Sequence, residues 1–281
     1  MLKKGANPNL ANVDGLTPLH TICQRDKDDD LLEKFFETNN NLQQTVQIDA
    51  LDKLGRTPLQ RAVVSFLPHV VDVLLGHGAD LSGFVFPTAR HFDEGFKSYN
   101  IQKISFKLIL ASGSLTVFEV LENRGYELDQ SDALIIMTLF SKYELFKKSA
   151  CIVEHSTDEK YMTLSSSSTK ITMMNASLSL YDLILLRPKD APKLLTYQDF
   201  LEFAHFEQKW YSIIYWQRKN YEIHLCEKLS RGFFRAWALE CFMELTHCRL
   251  PFECCEMIID ESFMNKDLYD ICLSAKGQSS R

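Results

Sequence analysis

Several large functional classes are made unlikely by what this 281-residue sequence lacks. It has no surplus of positive charge: 31 Lys plus Arg stand against 37 Asp plus Glu, a net charge of −6, so bulk electrostatics gives no reason to expect nucleic-acid binding. It has no long apolar run. The longest, Leu134 to Phe140, is interrupted by Thr138 and falls far short of a membrane span. The opening Met1-Leu2-Lys3-Lys4-Gly5 carries no apolar core of signal-peptide length. The expectation is a monomer acting inside the cell, in the cytoplasm or the nucleus, with neither nucleic acid nor membrane as partner.

Catalytic signatures are missing too. There is no G-x-S-x-G elbow, no phosphate-binding glycine loop, no H-E-x-x-H and no dinucleotide fingerprint, so no enzymatic activity is expected. His20, three residues after Thr17, has the look of a base, but a scaffold role explains it better, as it does His69 and His77. Eight cysteines are present (Cys23, Cys151, Cys226, Cys241, Cys248, Cys254, Cys255 and Cys272) without one C-x-x-C pair. The group Cys241, His247, Cys248, Cys254 and Cys255 matches no common zinc spacing, so no metal or cofactor is expected. The default is free buried thiols, with Cys241, Leu245 and Cys248 on the inner face of one helix.

What the sequence does contain is a repeat. In Asp52 to Leu81, Gly55 permits a tight turn, Thr57 is placed to cap a helix, and Pro58 falls in its first turn, where a missing N–H costs nothing. Leu59, Ala62 and Val63 would face a stack on the first helix, and Val70, Val71, Leu74 and Leu75 on the second. Gly78-Ala79-Asp80 ends that helix. Gly15-Leu16-Thr17-Pro18-Leu19-His20 repeats Gly55 to Gln60 forty residues earlier. Leu31, Leu32, Phe35 and Phe36 keep the second-helix pattern, and Gly5-Ala6-Asn7 reads as the tail of a still earlier copy. Gly113 to Leu128 keeps a second helix and a closing glycine, with Ile104-Ser105-Phe106-Lys107 in place of the opening motif. Ser82 to Asn100 reads as an irregular insert, and Asp132 to Phe146 as one more degenerate helix pair.

These residues resemble ankyrin repeats, whose period is about 33, so the first copy carries an insertion. Its candidate places are the acidic run Asp26 to Asp30 and the polar stretch Asn39 to Gln44. The chain opens within a repeat, which suggests a truncated array with the face of Leu19 and Ile22 open. The resemblance implies a target-protein surface made from turn tips and inner helices: Asn12, Val13, Asp14, Leu51, Asp52, Lys53 and Arg56. Asp28-Asp29-Asp30 suits either a basic partner or a solvated loop.

Downstream, Ser165-Ser166-Ser167-Ser168-Thr169 is of linker composition. Phe203, Phe206, Trp210 and Ile213 form one apolar helical stripe, and Leu225, Leu229, Phe233 and Trp237 another, widened by Phe234 and Cys241. Leu250-Pro251-Phe252-Glu253, followed by Ile258-Ile259 and Asp267-Leu268, resembles a shortened F-box. Repeats followed by such a segment resemble the PRANC proteins, ankyrin-repeat proteins with a poxvirus-type C-terminal domain, and Ser177 to Leu183 is similar to the opening of that domain. The implied fold is all-α, a short ankyrin solenoid and then a helical domain. It divides into a repeat region over 1–150 (copies near 12–51, 52–84 and 99–131), a linker over 151–176, and a PRANC-like domain over 177–281. The implied function is an adaptor. The repeats would hold a target, while Leu250, Pro251, Glu253, Ile258, Ile259 and Leu268 would dock on a Skp-type subunit of a cullin–RING ubiquitin ligase. The alternative is a plain ankyrin binding or inhibitor module, for example one masking an NF-kappaB-type factor, with the C-terminal helices only capping the array.

Overall fold

The computed structural model describes residues 6–25, 29–96, 105–146, 180, 183, 186, 190–191, 194–206, 210 and 215–279. No strand occurs among the described residues, as the all-α expectation requires. The chain divides into two compact units, one of residues 1–101 and 116–128, the other of 102–115 and 129–281. The polar tract Ser165 to Thr169, the linker 151–176 and Cys151 lie outside the described residues, as do Ile213 and, apart from Leu180 and Leu183, the segment 177–183.

In the first unit, short helices come in pairs: α1 (Pro18–Cys23) with α2 (Leu31–Asn41), and α3 (Pro58–Val64) with α4 (Pro68–Gly76). Thr17 and Thr57 cap α1 and α3, and in both helices proline occupies the first turn. The caps are reciprocal. His20 Nδ1 accepts from the Thr17 amide at 3.2 Å, and Gln60 Oε1 accepts from the Thr57 amide at 3.1 Å. The segment Ser82 to Asn100, expected to be irregular, contains a helix, α5 (Ala89–Phe96). It opens in the same way: the Thr88 amide donates to His91 Nδ1 at 3.4 Å, so Thr88 and His91 occupy the places of Thr57 and Gln60. A sequence search keyed on proline and leucine misses this copy, because Ala89 and Arg90 stand there.

The second helices close alike. After α2, α4 and α6 (Phe106–Asn123), the residues Gln43, Gly78 and Gly125 have φ of 54°, 93° and 92°. The next amide in each case reaches back to a carbonyl: Gln44 to Asn39 at 2.9 Å, Ala79 to Leu74 at 3.0 Å and Tyr126 to Leu121 at 3.0 Å. Gln43 thus does glycine's work, which hides this boundary from a sequence reading. The first copy is longer in two connections, one holding the acidic run and the other lying mostly after the polar stretch Asn39 to Gln44, whose first three residues end α2. The connection from α1 to α2 spans 24–30 where that from α3 to α4 spans 65–67, and the run from Gln43 to Thr57 is longer than that from Gly78 to Thr88.

The unit's core is Leu19, Cys23, Leu32, Phe35, Phe36, Leu59, Ala62, Val63, Val70, Val71 and Leu74, all buried. Each large apolar side chain so buried contributes about 2 kcal/mol. The open face expected at Leu19 is not there: Leu19 is fully buried and Ile22 half-buried. Leu31 is exposed and Leu75 only half-buried, so the apolar face of each second helix is narrower than its sequence pattern.

In the second unit, Asp132 to Phe146 forms one helix rather than a pair, α7 (Gln130–Lys142), which Asp129 caps by accepting from the Asp132 amide at 2.8 Å. Helix α8 (Tyr197–His205) stops at Phe206, so the expected stripe from Phe203 to Ile213 is broken. Phe206 is exposed, while Phe203 and Trp210 are buried together, with Trp210 Nε1 donating to the Phe203 carbonyl at 3.2 Å. Helix α9 (Tyr215–Leu245) is the spine of this unit. Leu225, Leu229, Phe234, Ala238 and Cys241 are buried along it, with Phe233 and Trp237 half-buried at the margin. Cys248 does not share that face. The helix ends at Leu245, and Cys248 is exposed with φ of 52°. Helices α10 (Phe252–Ser262) and α11 (Asn265–Ser279) pack on α9, and α11 also packs on α7.

Candidate interaction surfaces

The turn tips of the first unit are built by side chains that hydrogen-bond their own backbone. Asn12 Oδ1 accepts from the amides of Asp14 and Leu16, each at 2.9 Å. Asp52 Oδ1 accepts from Leu54 at 2.8 Å and Arg56 at 3.0 Å. Two of the residues expected to touch a target are therefore committed to shaping their turns. Asp52 is also buried and ion-paired to Arg61, with the Arg56 guanidinium 3.5 Å away. Burial opposes ionisation of Asp52, but the Arg56 and Leu54 amides and the Arg61 guanidinium outweigh it and hold the carboxyl below its usual range.

Successive turns are tied together. The Lys53 amide donates to the Asp14 carbonyl at 3.1 Å, and His20 Nε2 donates to the Arg56 carbonyl at 3.0 Å. Gln60 Nε2 does the same for the Val85 carbonyl at 2.8 Å. Asn9 bonds the Thr45 carbonyl and the Gln47 amide, both at 2.8 Å, and Asp49 accepts from the Asp80 amide at 3.1 Å. Gly15 (φ 78°) is required by this closeness, since a Cβ there would lie 2.8 Å from the Lys53 nitrogen.

With the polar groups turned inward, the tips present apolar side chains. Val13 is 81% exposed, Leu54 70% and Val85 68%, with Leu10 and Leu51 also outward and Asp14 and Lys53 exposed beside them. Of the residues expected to contact a target, Val13, Asp14, Leu51 and Lys53 are free to do so. Leu54, Leu10 and Val85 join them, recognisable in the sequence only as apolar residues inside turns.

Beside the tips lies a polar cavity of about 360 Å³ lined by Gln24, Arg56, Arg61, His91 and Glu94. Arg61 donates to Gln24 Oε1 at 2.7 Å, and Arg56 pairs with Glu94 at 2.9 Å. Of these, sequence reasoning found only Arg56; the others come from three different helices or connections that only folding brings together. The acidic run is partly answered by its own neighbours, Asp29 pairing with Arg25 at 3.0 Å and Asp30 with Lys34 at 3.9 Å, while Asp28 lies outside the described residues.

In the second unit the F-box-like residues separate into two sets. Leu250, Pro251 and Glu253 are exposed at the start of α10, and Ile258 is half-buried. Ile259 and Leu268 are fully buried in the unit, so the expectation that they face a partner does not match this arrangement. Their burial has a polar cause that sequence reasoning missed. Arg231, itself buried, donates to the carbonyls of Ile259 and Phe263, each at 2.8 Å, satisfying the end of α10. Asn265 Nδ2 bonds the Glu227 carbonyl at 2.9 Å and Ser230 Oγ at 3.0 Å. Arg235 pairs with Asp260 at 2.6 Å and Glu256 at 2.7 Å, and those two carboxylates raise its pKa. Burial lowers that of Arg231. The sequence held one clue: Arg231 and Arg235 are four apart on α9, as are Glu256 and Asp260 on α10. Outward on α10, α11 and the connection between them stand Phe252, Met257, Leu273 and Met264.

Among the described residues, no three of Cys241, His247, Cys248, Cys254 and Cys255 gather at ligating distance; the residues that do are Asp30, Glu33 and His69. No helix is long and apolar enough to cross a membrane, among the residues described.

The family described as Ankyrin repeats (3 copies) matches residues 1–83, the part of the chain that holds the caps, closures and tied turns set out above. No curated protein matches the chain. The N-terminal part of the chain is thus a set of ankyrin repeats, a protein–protein interaction module. The match does not reach the segment from Leu250 to Ile271.

Proposed function

We propose that this chain, carrying ankyrin repeats at its N-terminus, is a non-enzymatic adaptor of the cytoplasm or nucleus. Its turn tips would hold a target protein, and its α10 segment would recruit a Skp-type subunit of a cullin–RING ubiquitin ligase. The observation that carries the first half is the row of exposed apolar side chains at Leu10, Val13, Leu51, Leu54 and Val85, on turns whose polar atoms are already satisfied. Such a row offers contact area at little desolvation cost. The second half rests on the resemblance to the F-box and on the exposure of Leu250, Pro251 and Glu253. Joining the two on one chain would raise the effective concentration of ligase at the target.

One observation favours the plainer reading, an ankyrin inhibitor module without a ligase link: Ile259 and Leu268 are buried, and Arg231 holds their helices on α9. A pull-down separates the two. The intact chain is tested against purified Skp adaptor beside a Leu250→Ala, Pro251→Ala, Glu253→Ala variant, whose changes touch exposed positions alone. Binding lost in the variant, with unchanged helical circular dichroism, is the result expected of the ligase adaptor. No binding by the intact chain would leave the inhibitor reading.

A further inference from the structure

Arg61 on α3 is held by one edge of its guanidinium. Its Nε, at 3.0 Å, and its Nη2 both donate to Asp52 Oδ2, while Asp52 Oδ1 is taken up by the turn amides of Leu54 and Arg56. Asp52 is thus fixed by its turn, and the guanidinium is oriented by Asp52. The third nitrogen, Nη1, donates at 2.7 Å to the amide oxygen of Gln24, and both residues line the polar cavity of about 360 Å³. Gln24 is an exposed residue at the end of α1 and carries no charge. A carboxylate in its place would add the attraction of opposite charges to that bond. The Arg61 side chain is 16% exposed, enough to be reached and little enough that a charge meeting it there is weakly screened. The ion pairs around the cavity also leave one charge over. They join three guanidiniums, of Arg56, Arg61 and Arg90, to two carboxylates, of Asp52 and Glu94. One more carboxylate balances this network, whereas a phosphate group, with about two negative charges, exceeds the balance.

We propose that this cavity is a subsite for a carboxylate side chain, an aspartate or glutamate of the target protein, which displaces Gln24 from Arg61 Nη1. The proposal rests on the reading of the turn tips as the surface that holds a target. It adds the chemistry the target carries there, one acidic residue among apolar ones. The cavity lies beside the exposed row that includes Leu54 and Val85, so a segment lying along those tips passes it in mid-chain and lowers a side chain into it. The apolar tips then supply contact area, and the cavity supplies register, since an acidic residue set elsewhere along the segment misses Arg61.

The test titrates the full chain with three short peptides and follows the side-chain Nε–H signals of Arg56 and Arg61 by NMR. The probes are acetyl-Gly-Glu-Gly-amide, acetyl-Gly-Gln-Gly-amide, and acetyl-Gly-Gln-Gly with a free C-terminal carboxylate. The expected result is a saturable shift of the Arg61 signal with the glutamate peptide and none with the glutamine amide. Gln24→Glu keeps the shape of an exposed side chain, sets the chain's own carboxylate on Nη1, and should abolish the shift. Gln47→Glu, the same charge change at another exposed position, should bind the peptide as wild type does. Glu94→Gln removes a competing carboxylate and should tighten binding by up to roughly fivefold. Should Glu94→Gln fail to fold, the two glutamine variants still decide. No saturable shift with the glutamate peptide, an equal shift with the glutamine amide, or undiminished binding by Gln24→Glu would overturn the proposal. Binding by the free C-terminus as tight as by the glutamate side chain would overturn its assignment to a side chain. The titration involves neither a target nor the Skp adaptor, so its failure strikes the carboxylate site and leaves the proposed function standing.

Discussion

His20 sets up the sharpest test of how the repeats hold together. It is fully buried, accepts from the Thr17 amide through Nδ1 at 3.2 Å and donates to the Arg56 carbonyl through Nε2 at 3.0 Å. Replacing it with alanine strands a buried amide and a buried carbonyl, at about 1–3 kcal/mol apiece. The expected loss for His20→Ala is therefore about 2–6 kcal/mol. Gln60 makes the equivalent pair of bonds in the next copy, so His20→Gln should cost less than about 1.5 kcal/mol. The two variants also differ in pH response. Desolvation lowers the His20 pKa, opposed by the bond to Arg56, and a protonated Nδ1 could no longer accept from Thr17. The unfolded chain therefore binds the proton first, near about pH 6.5, and the folded chain resists it. Stability from this site is complete above that value and is lost as pH falls from there through the lower folded pKa. Urea melts at about pH 7.5 and about pH 5.5, followed by circular dichroism, measure both effects. Wild type should lose more stability on acidification than His20→Gln, a comparison in which Asp52 and the other acids cancel. Equal pH dependence in the two chains, or a His20→Gln as weak as His20→Ala, would refute the reasoning.

Two further outcomes follow from the same geometry. Gly15 and Gly55 both have positive φ, but only at Gly15 would a Cβ meet the next turn, 2.8 Å from the Lys53 nitrogen. Gly55→Ala should cost about 1 kcal/mol for its backbone conformation, and Gly15→Ala at least about 1 kcal/mol more as the Lys53–Asp14 bond breaks; equal losses in thermal melts would contradict this. Arg231→Ala leaves the Ile259 and Phe263 carbonyls without their donor, at a cost of about 2–4 kcal/mol. Amide hydrogen exchange should accelerate across α10 and α11, and unchanged protection there would show that Arg231 does not hold the pair.

Local rules make much of the first unit legible in the sequence. Thr17-Pro18 and Thr57-Pro58 announce helix starts, Gly78 and Gly125 announce ends, and the apolar spacing of α3 and α4 marks their buried faces. These signals depend on neighbours within a turn of chain, so sequence alone determines them. Where a less typical residue fills the same role, the signal fades: Gln43 closes α2 in a left-handed conformation, and Thr88 opens α5 without a proline after it. Tertiary structure decided the rest, because it set which atoms meet across long separations. Asp52 looked like a surface contact until Arg61 and its own turn enclosed it. Ile259 and Leu268 fit a docking motif by spacing, yet helical spacing gives only a shared face and never says what covers it. The guanidinium of Arg231, nearly thirty residues away, ties that face to α9.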